Sequence, residues 1–159
     1  MTLMEQEILA QPEAVKHAGE VNAKIIAAFA AAVKAHGVKQ VIVAARGSSD
    51  NACNYFKYLC EVYAGMPVST AAPSVLTLYD GAIDMDGAAV IGVSQSGAAA
   101  DVIAVVERAR AQGCVTAAVT NNNDSALAKA AEYSVFMDIG EEKSVAATKT
   151  FTTQMYLLA

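Results

Sequence analysis

Aromatic residues are scarce in this sequence, at 6% with no tryptophan, although 55% of its residues are apolar. The apolar mass is therefore mostly alanine and valine, which suits close-packed helices on a buried sheet. A disordered chain is excluded, because its composition could not bury enough surface. Long hydrophobic runs are also missing: none reaches the roughly 20 residues that a membrane-crossing helix needs. The opening stretch, Met1-Thr2-Leu3-Met4-Glu5-Gln6-Glu7, lacks the basic region of a signal peptide. A soluble, cytoplasmic protein with no membrane partner is the expectation. Positive charge is in deficit, 11 Lys and Arg against 16 Asp and Glu, and the formal charge of −5 argues against nucleic acid as a partner. An anionic small ligand stays open, since backbone N–H groups and hydroxyls hold phosphate without a cationic surface. Cys53, Cys60 and Cys114 are odd in number and lack metal-ligand spacing. They read as reduced structural thiols, with Cys53 and Cys60 sharing one buried helix face. No metal and no cofactor is expected.

The 159 residues amount to one ordinary domain, without repeats, low-complexity tracts or internal linkers. A helical stripe of Val15, Ala18, Ile25, Ile26, Phe29 and Val33 runs from about Pro12 to Ala35 and stops at Gly37. Val38 to Ala45 is a β-branched run that reads as a buried parallel strand. A helix over Asp50 to Ala64 follows, stopped by Gly65 and Pro67, and Val68 to Ala71 is a short second strand. After an irregular stretch with a short helix near Ser74 to Tyr79, a third strand spans Ala88 to Val93 and a helix runs from about Ala99 to Gln112. Cys114 to Val119 is a fourth strand, Ser125 caps a short helix, Ser134 to Ile139 is a fifth strand, and a last helix starts at Ser144. This alternation predicts an α/β fold: three layers, α/β/α, doubly wound around a five-stranded parallel sheet in the flavodoxin-like order 2-1-3-4-5. The last helix ends in mid-pattern at Ala159, which suggests a longer polypeptide.

Two strand ends carry unusual loops. Gly47-Ser48-Ser49-Asp50 follows the first strand and Ser94-Gln95-Ser96-Gly97 the third. In the order 2-1-3-4-5 these strands are neighbours whose helices go to opposite faces, so both loops open into the switch-point crevice. Helix N-termini, four hydroxyls and one amide there suit a phosphate monoester. Taken one loop at a time, the serines could equally be ordinary helix caps. Walker-type and Gly-x-Gly-x-x-Gly runs are absent, which weighs against nucleoside triphosphates and dinucleotides, and no Gly-x-Ser-x-Gly elbow occurs. His17 and His36 fall on or beside the first helix, away from the strand ends. Glu141 and Glu142 could face the crevice or form a solvated turn with Lys143, and the turn is the simpler reading.

At these loops the sequence resembles the SIS sugar isomerase family. The resemblance is carried by Ala45-Arg46-Gly47-Ser48-Ser49-Asp50, Ser94-Gln95-Ser96-Gly97, Thr120-Asn121, Ser125-x-Leu127-Ala128, and Glu142-Lys143-Ser144-Val145-Ala146-Ala147-Thr148-Lys149-Thr150-Phe151-Thr152-Thr153-Gln154. It covers nearly the whole chain and is strongest with the first SIS domain of glucosamine-6-phosphate synthases and two-domain glucosamine-6-phosphate deaminases. It implies that Ser49, Ser94, Gln95 and Ser96 hold a sugar phosphate, with Gly47, Ser48 and Val145 on the sugar side. The family pattern puts a hydroxyl donor where this chain has Ala99, within Ala98-Ala99-Ala100. Losing such a bond to an anion costs on the order of 1.5–3 kcal/mol. The family's acid–base residues lie in a second SIS domain, so no catalytic residue is assigned in this chain. The resemblance implies the first half of an isomerase or deaminase acting on glucosamine 6-phosphate or fructose 6-phosphate, assembled as a homodimer or larger homo-oligomer. With no glutaminase segment ahead of Met1, the deaminase or isomerase is favoured over an amidotransferase. Two alternatives stay open: a non-catalytic sugar-phosphate sensor, and a single-SIS isomerase with its site shared between subunits, for which Glu61 is a candidate base.

Overall fold

The computed structural model describes residues 1–159. In chain order its elements are α1 (Leu3–Leu9), α2 (Gln11–Ala35), β1 (Gln40–Ala45), α3 (Ser48–Leu59, continued by a π turn over Cys60–Ala64), β2 (Val68–Thr70), α4 (Pro73–Thr77), β3 (Ala88–Val93), α5 (Ala100–Ala111), β4 (Val115–Thr120), α6 (Ala126–Ala130), β5 (Tyr133–Phe136) and α7 (Lys149–Leu158). The strands form one five-stranded sheet in the order β2-β1-β3-β4-β5, parallel throughout. All residues of β3 and β4 are buried, as a sheet covered on both faces requires.

Strand periodicity of two splits the core into two layers. Val41, Val43, Ala45, Val93 and Val119 face α2, α3 and α7, meeting Ala18, Ala52, Cys53 and Leu157. Ile42, Ala44, Val90 and Ala118 face the other way, onto Val102, Val105, Val106 and Leu127 of α5 and α6. Gly92 sets the distance between β3 and α5. A methyl there would stand 2.7 Å from Val106 Cγ2 and 2.8 Å from Leu127 Cδ1, so only glycine lets α5 lie this close to the strand it follows. The outer edge at β5 is covered by α2, where Asn22 Nδ2 donates to Phe136 O (2.6 Å) and Asn22 Oδ1 accepts from Phe136 N–H (3.0 Å). No helix is long and apolar enough to cross a membrane.

Several element ends differ from those expected. A separate helix, α1, precedes the long one, held by a capping box in which Glu5 N–H donates to Thr2 Oγ1 and Thr2 N–H to Glu5 Oε2. α3 begins at Ser48 because Gly47, at φ 60° and ψ −130°, reverses the chain directly after β1. β5 ends at Phe136, short of Ile139, because left-handed Asp138 (φ 53°) and Gly140 (φ 66°) turn the chain off the sheet edge. α7 begins at Lys149 rather than Ser144, for a reason that lies in the 139–150 segment described below.

Candidate functional site

Ala45 pairs with Val93 in the β1–β3 register, so the loops that follow leave the sheet side by side, about 4.8 Å apart. One leads through Gly47 into α3, the other through Ser94-Gln95-Ser96-Gly97 into α5, on opposite faces. Each helix has 12 residues, and neither start carries a side-chain cap bond. At this crevice the N–H groups of Ser48, Ser49, Ala100 and Asp101 therefore have no side-chain partner, while Val102 N–H is taken by Asp101 Oδ1 (2.9 Å). Side-chain caps occur on α1, from Thr2, and on α6, where Ser125 Oγ accepts from Ala128 N–H at 3.2 Å, while α2, α4 and α7 also start without one. The serines of the two crevice loops are not caps of this kind. Ser94 Oγ accepts from Gly97 N–H (3.2 Å) and Ser96 Oγ from Ala98 N–H (3.3 Å), bonds that shape the loop before α5 begins. A hydroxyl used as an acceptor keeps its own proton to donate, so both remain available to an anion.

Ser49 and Ser94 are buried, whereas Ser48, Gln95 and Ser96 are exposed. The Gln95 carbonyl accepts from Asn121 N–H (2.9 Å) and Thr120 Oγ1 (3.2 Å), which pins the loop and leaves the Gln95 side chain outside. Gly97, at φ 65°, has no room for a side chain: a Cβ would lie 2.2 Å from Ser125 Oγ. Arg46, unremarked in the sequence beyond its place in the family pattern, spans the rim. Its Nη1 stands 3.2 Å from Asp101 Oδ2 in the first turn of α5.

Beside the loops, a polar cavity of about 380 Å³ is lined by Gln95, Ser96, Asn121, Asn122, Asp138 and Glu141, among others. Asn121 links its walls, donating from Nδ2 to Gly140 O (2.7 Å) and accepting at Oδ1 from Ile139 N–H (3.2 Å). His17 had been expected away from the strand ends. Instead α2 lies along the sheet so that His17 Nε2 meets Asp138 Oδ2 at 2.8 Å, just past β5. A second hollow, of about 270 Å³, is lined only by apolar residues such as Phe29, Phe56 and Leu157 and offers an anion no donor. No cluster of three or more His, Cys, Asp or Glu side chains is arranged to hold a metal ion. Cys53 is buried and its thiol is pushed up to about 12 by burial and then by Asp50, which makes it a packing residue.

The segment from Ile139 to Thr150 is tied down by three charged side chains. Lys149 is buried and its Nζ donates to Ile139 O (3.0 Å) and Glu141 O (2.8 Å). Glu7 of α1 accepts from Lys143 N–H (2.5 Å) and Ser144 N–H (3.1 Å). Glu142 is neither a crevice acid nor a solvated turn: its Oε1 accepts from Thr148 N–H, Thr148 Oγ1 and Thr150 N–H. It takes up the amides at the start of α7, which explains why that helix starts late. Burial opposes its ionisation, but the bonds from Thr150 and Thr148 prevail and hold the carboxyl below the ordinary glutamate value. A depressed acid contributes stability above its unfolded pKa and loses it as pH falls through the lower folded value. Hydrogen exchange at Thr148 and Thr150 should therefore accelerate as pH drops below about 4.3, the unfolded carboxylate value, after correction for intrinsic rates. In Glu142→Gln that acid-dependent step should vanish. A step that survives the substitution would place the titrating group elsewhere.

Val145 is fully exposed on this tethered segment. Glu61 lies at the far edge of the sheet, where its Oε1 accepts from Val68 N–H at the start of β2 (3.2 Å). It does not reach the crevice of its own chain.

Residues 36–159 match the family model of the SIS domain. The chain belongs to the SIS domain family. Among its relatives, the glutamine–fructose-6-phosphate aminotransferase (isomerizing) of Pyrococcus horikoshii is 31% identical over 156 residues, which are 98% of this chain and 26% of that protein. Among solved structures, a phosphosugar isomerase candidate from Silicibacter pomeroyi DSS-3 superposes with a TM-score of 0.94 at 38% identity, covering 99% of this chain and 50% of that one. The C-terminal domain of glucosamine-fructose-6-phosphate aminotransferase from Francisella tularensis gives a TM-score of 0.78 at 30% identity, over 98% of this chain and 45% of that one. The SIS unit described here thus spans about half of those solved chains and a quarter of the curated relative.

Proposed function

We propose that this SIS domain grips the phosphate of a hexose or hexosamine 6-phosphate, glucosamine 6-phosphate or fructose 6-phosphate, as the first half of a two-SIS amino-sugar phosphate isomerase or deaminase. One observation carries the reading: two 12-residue helices, both uncapped by side chains, start from the neighbouring strand ends Ala45 and Val93. Their partial positive ends and unpaired N–H groups converge where a phosphate monoester can accept from both. Ser49, Ser94 and Ser96 add hydroxyl donors and Gln95 an amide, while Gly47 and Ser48 border the sugar. Val145, fully exposed on the segment between Ile139 and Thr150, borders the sugar beside them in this proposal.

Isomerisation moves a proton between C1 and C2, and needs a base within hydrogen-bond reach of those carbons. The crevice loops offer only Asp50 and Asp101 as acids, and Asp101 is already engaged by Arg46. The role of this chain is then positional: binding energy spent on the phosphate orients carbons several bonds away. A second SIS unit supplies the acid–base groups, in keeping with this domain covering half of its solved relatives. Calorimetry with glucosamine 6-phosphate, fructose 6-phosphate and the two unphosphorylated sugars tests the grip. Both phosphates should bind and neither free sugar should. Equal affinity for glucosamine and its 6-phosphate would remove the reading.

A further inference from the structure

Three charged residues stand on the two crevice loops and the helix turns they enter: Arg46, Asp50 and Asp101. An incoming phosphate therefore meets two carboxylates and a single guanidinium. Asp101 sits in the first turn of α5, where its Oδ1 accepts from Val102 N–H (2.9 Å) and its Oδ2 faces Arg46 Nη1 (3.2 Å). The Arg46 side chain is 68% exposed, and that carboxylate is its one charged partner. The guanidinium starts from the β1 loop, crosses the rim and ends beside the uncapped start of α5. That is two residues from Ala99, which precedes the helix and has no hydroxyl to donate.

We propose that Arg46 is a phosphate-binding residue held in reserve by Asp101. Its guanidinium exchanges Asp101 for the phosphate of an incoming sugar phosphate and supplies there a donor that Ala99, with no hydroxyl, does not. The exchange is favourable on general grounds. The pair is open to solvent on its Arg46 side, and ion pairs of that kind contribute little, so it is readily given up. A guanidinium on phosphate can form two parallel charge-assisted bonds, about twice as strong as neutral ones. Asp101 in turn holds the guanidinium in place beside α5 and, once released, leaves a negative charge near the bound phosphate that limits its affinity. This inference rests on the proposed phosphate grip and adds to it the residue that completes the anion's coordination.

The test is a mutant cycle on the intact chain, with affinity for glucosamine 6-phosphate measured by calorimetry at low ionic strength. Arg46→Gln should weaken binding by roughly tenfold or more, as loss of a charge-assisted bond does. Arg46→Lys should fall between that variant and the wild type. Asp101→Asn should tighten binding several-fold, because it frees the guanidinium and removes a repelling charge. In the double variant that gain should shrink, since no guanidinium remains to be freed. Two results overturn the inference alone: unchanged affinity in Arg46→Gln, or a loss in Asp101→Asn equal to that in Arg46→Gln, which would show that the pair acts only by bracing the loop. If the wild type binds no sugar phosphate, both the inference and the grip fall. If Ser94→Ala abolishes binding while Arg46→Gln leaves it intact, the grip stands and Arg46 has no part in it.

Discussion

Alanine at position 97 should lower the stability of the domain by roughly 2–5 kcal/mol, the largest loss expected from any single methyl group in the crevice loops. Two costs add there. The backbone is left-handed at φ 65°, which an L side chain tolerates at about 1–2 kcal/mol. The new Cβ would also stand 2.2 Å from Ser125 Oγ, 2.4 Å from Ser125 Cβ and 2.8 Å from Thr120 Oγ1. Those are the groups that cap α6 and pin the Gln95 carbonyl, so relief must disturb one or the other. Thermal unfolding should register a fall of roughly 5–15 °C. Gly65→Ala is the internal comparison, since Gly65 is left-handed (φ 62°, ψ 21°) but has open space around its Cα. It should lose only the backbone part. Combining Gly97→Ala with Ser125→Gly should recover some stability, because glycine at a cap costs only a few tenths of a kcal/mol relative to serine. A Gly97→Ala protein that melts with the wild type would show that the α5 loop does not have the packing described here.

The second large effect concerns binding. Removing the Ser49 and Ser94 hydroxyls together should weaken sugar phosphate by at least a hundredfold, against roughly tenfold or more for each alone. Each hydroxyl donates to an anion, and such bonds contribute about 1.5–3 kcal/mol. Both side chains are buried, so water replaces them poorly. Ser94 has a second duty, since its Oγ accepts from Gly97 N–H, and Ser94→Ala should also lower the melting temperature slightly. Ser49 carries no such loop bond, so Ser49→Ala isolates the effect on the ligand. Calorimetry on the single and double variants, with melting curves beside it, separates the two contributions. A double variant within twofold of the wild type would mean that these hydroxyls do not touch the phosphate.

The sheet order and the two serine loops were legible because they rest on local signals: β-branched runs, glycines that stop helices, and short connections that force a doubly wound path. The segment from Ile139 to Thr150 was not, because it is held by side chains remote in sequence. Glu7 reaches across more than a hundred residues to the amides of Lys143 and Ser144, and no periodicity announces that. Lys149 and Glu142 look like ordinary surface charges until the chain reversal at Asp138 and Gly140 brings backbone groups to them. His17 was misplaced for a similar reason: a helix position gives its own face, not the strand end it will lie against. Whether the loop serines were caps or donors could not be read locally either. Either use begins with Ser near a helix start, and only the structure shows that α3 and α5 begin without a side-chain cap.

The most direct test of the central claim follows the backbone amides. In ¹⁵N-resolved NMR spectra of this chain titrated with glucosamine 6-phosphate, the amides at the starts of α3 and α5 (Ser48, Ser49, Ala100 and Asp101) and those of Ser96 and Gly97 in the loop after β3 should shift together and saturate at one affinity. Glucosamine at the same concentrations should leave them in place. Shifts gathered instead around the apolar hollow at Phe29, Phe56 and Leu157, with the amides of both helix starts unmoved, would contradict a phosphate site at the crevice between β1 and β3.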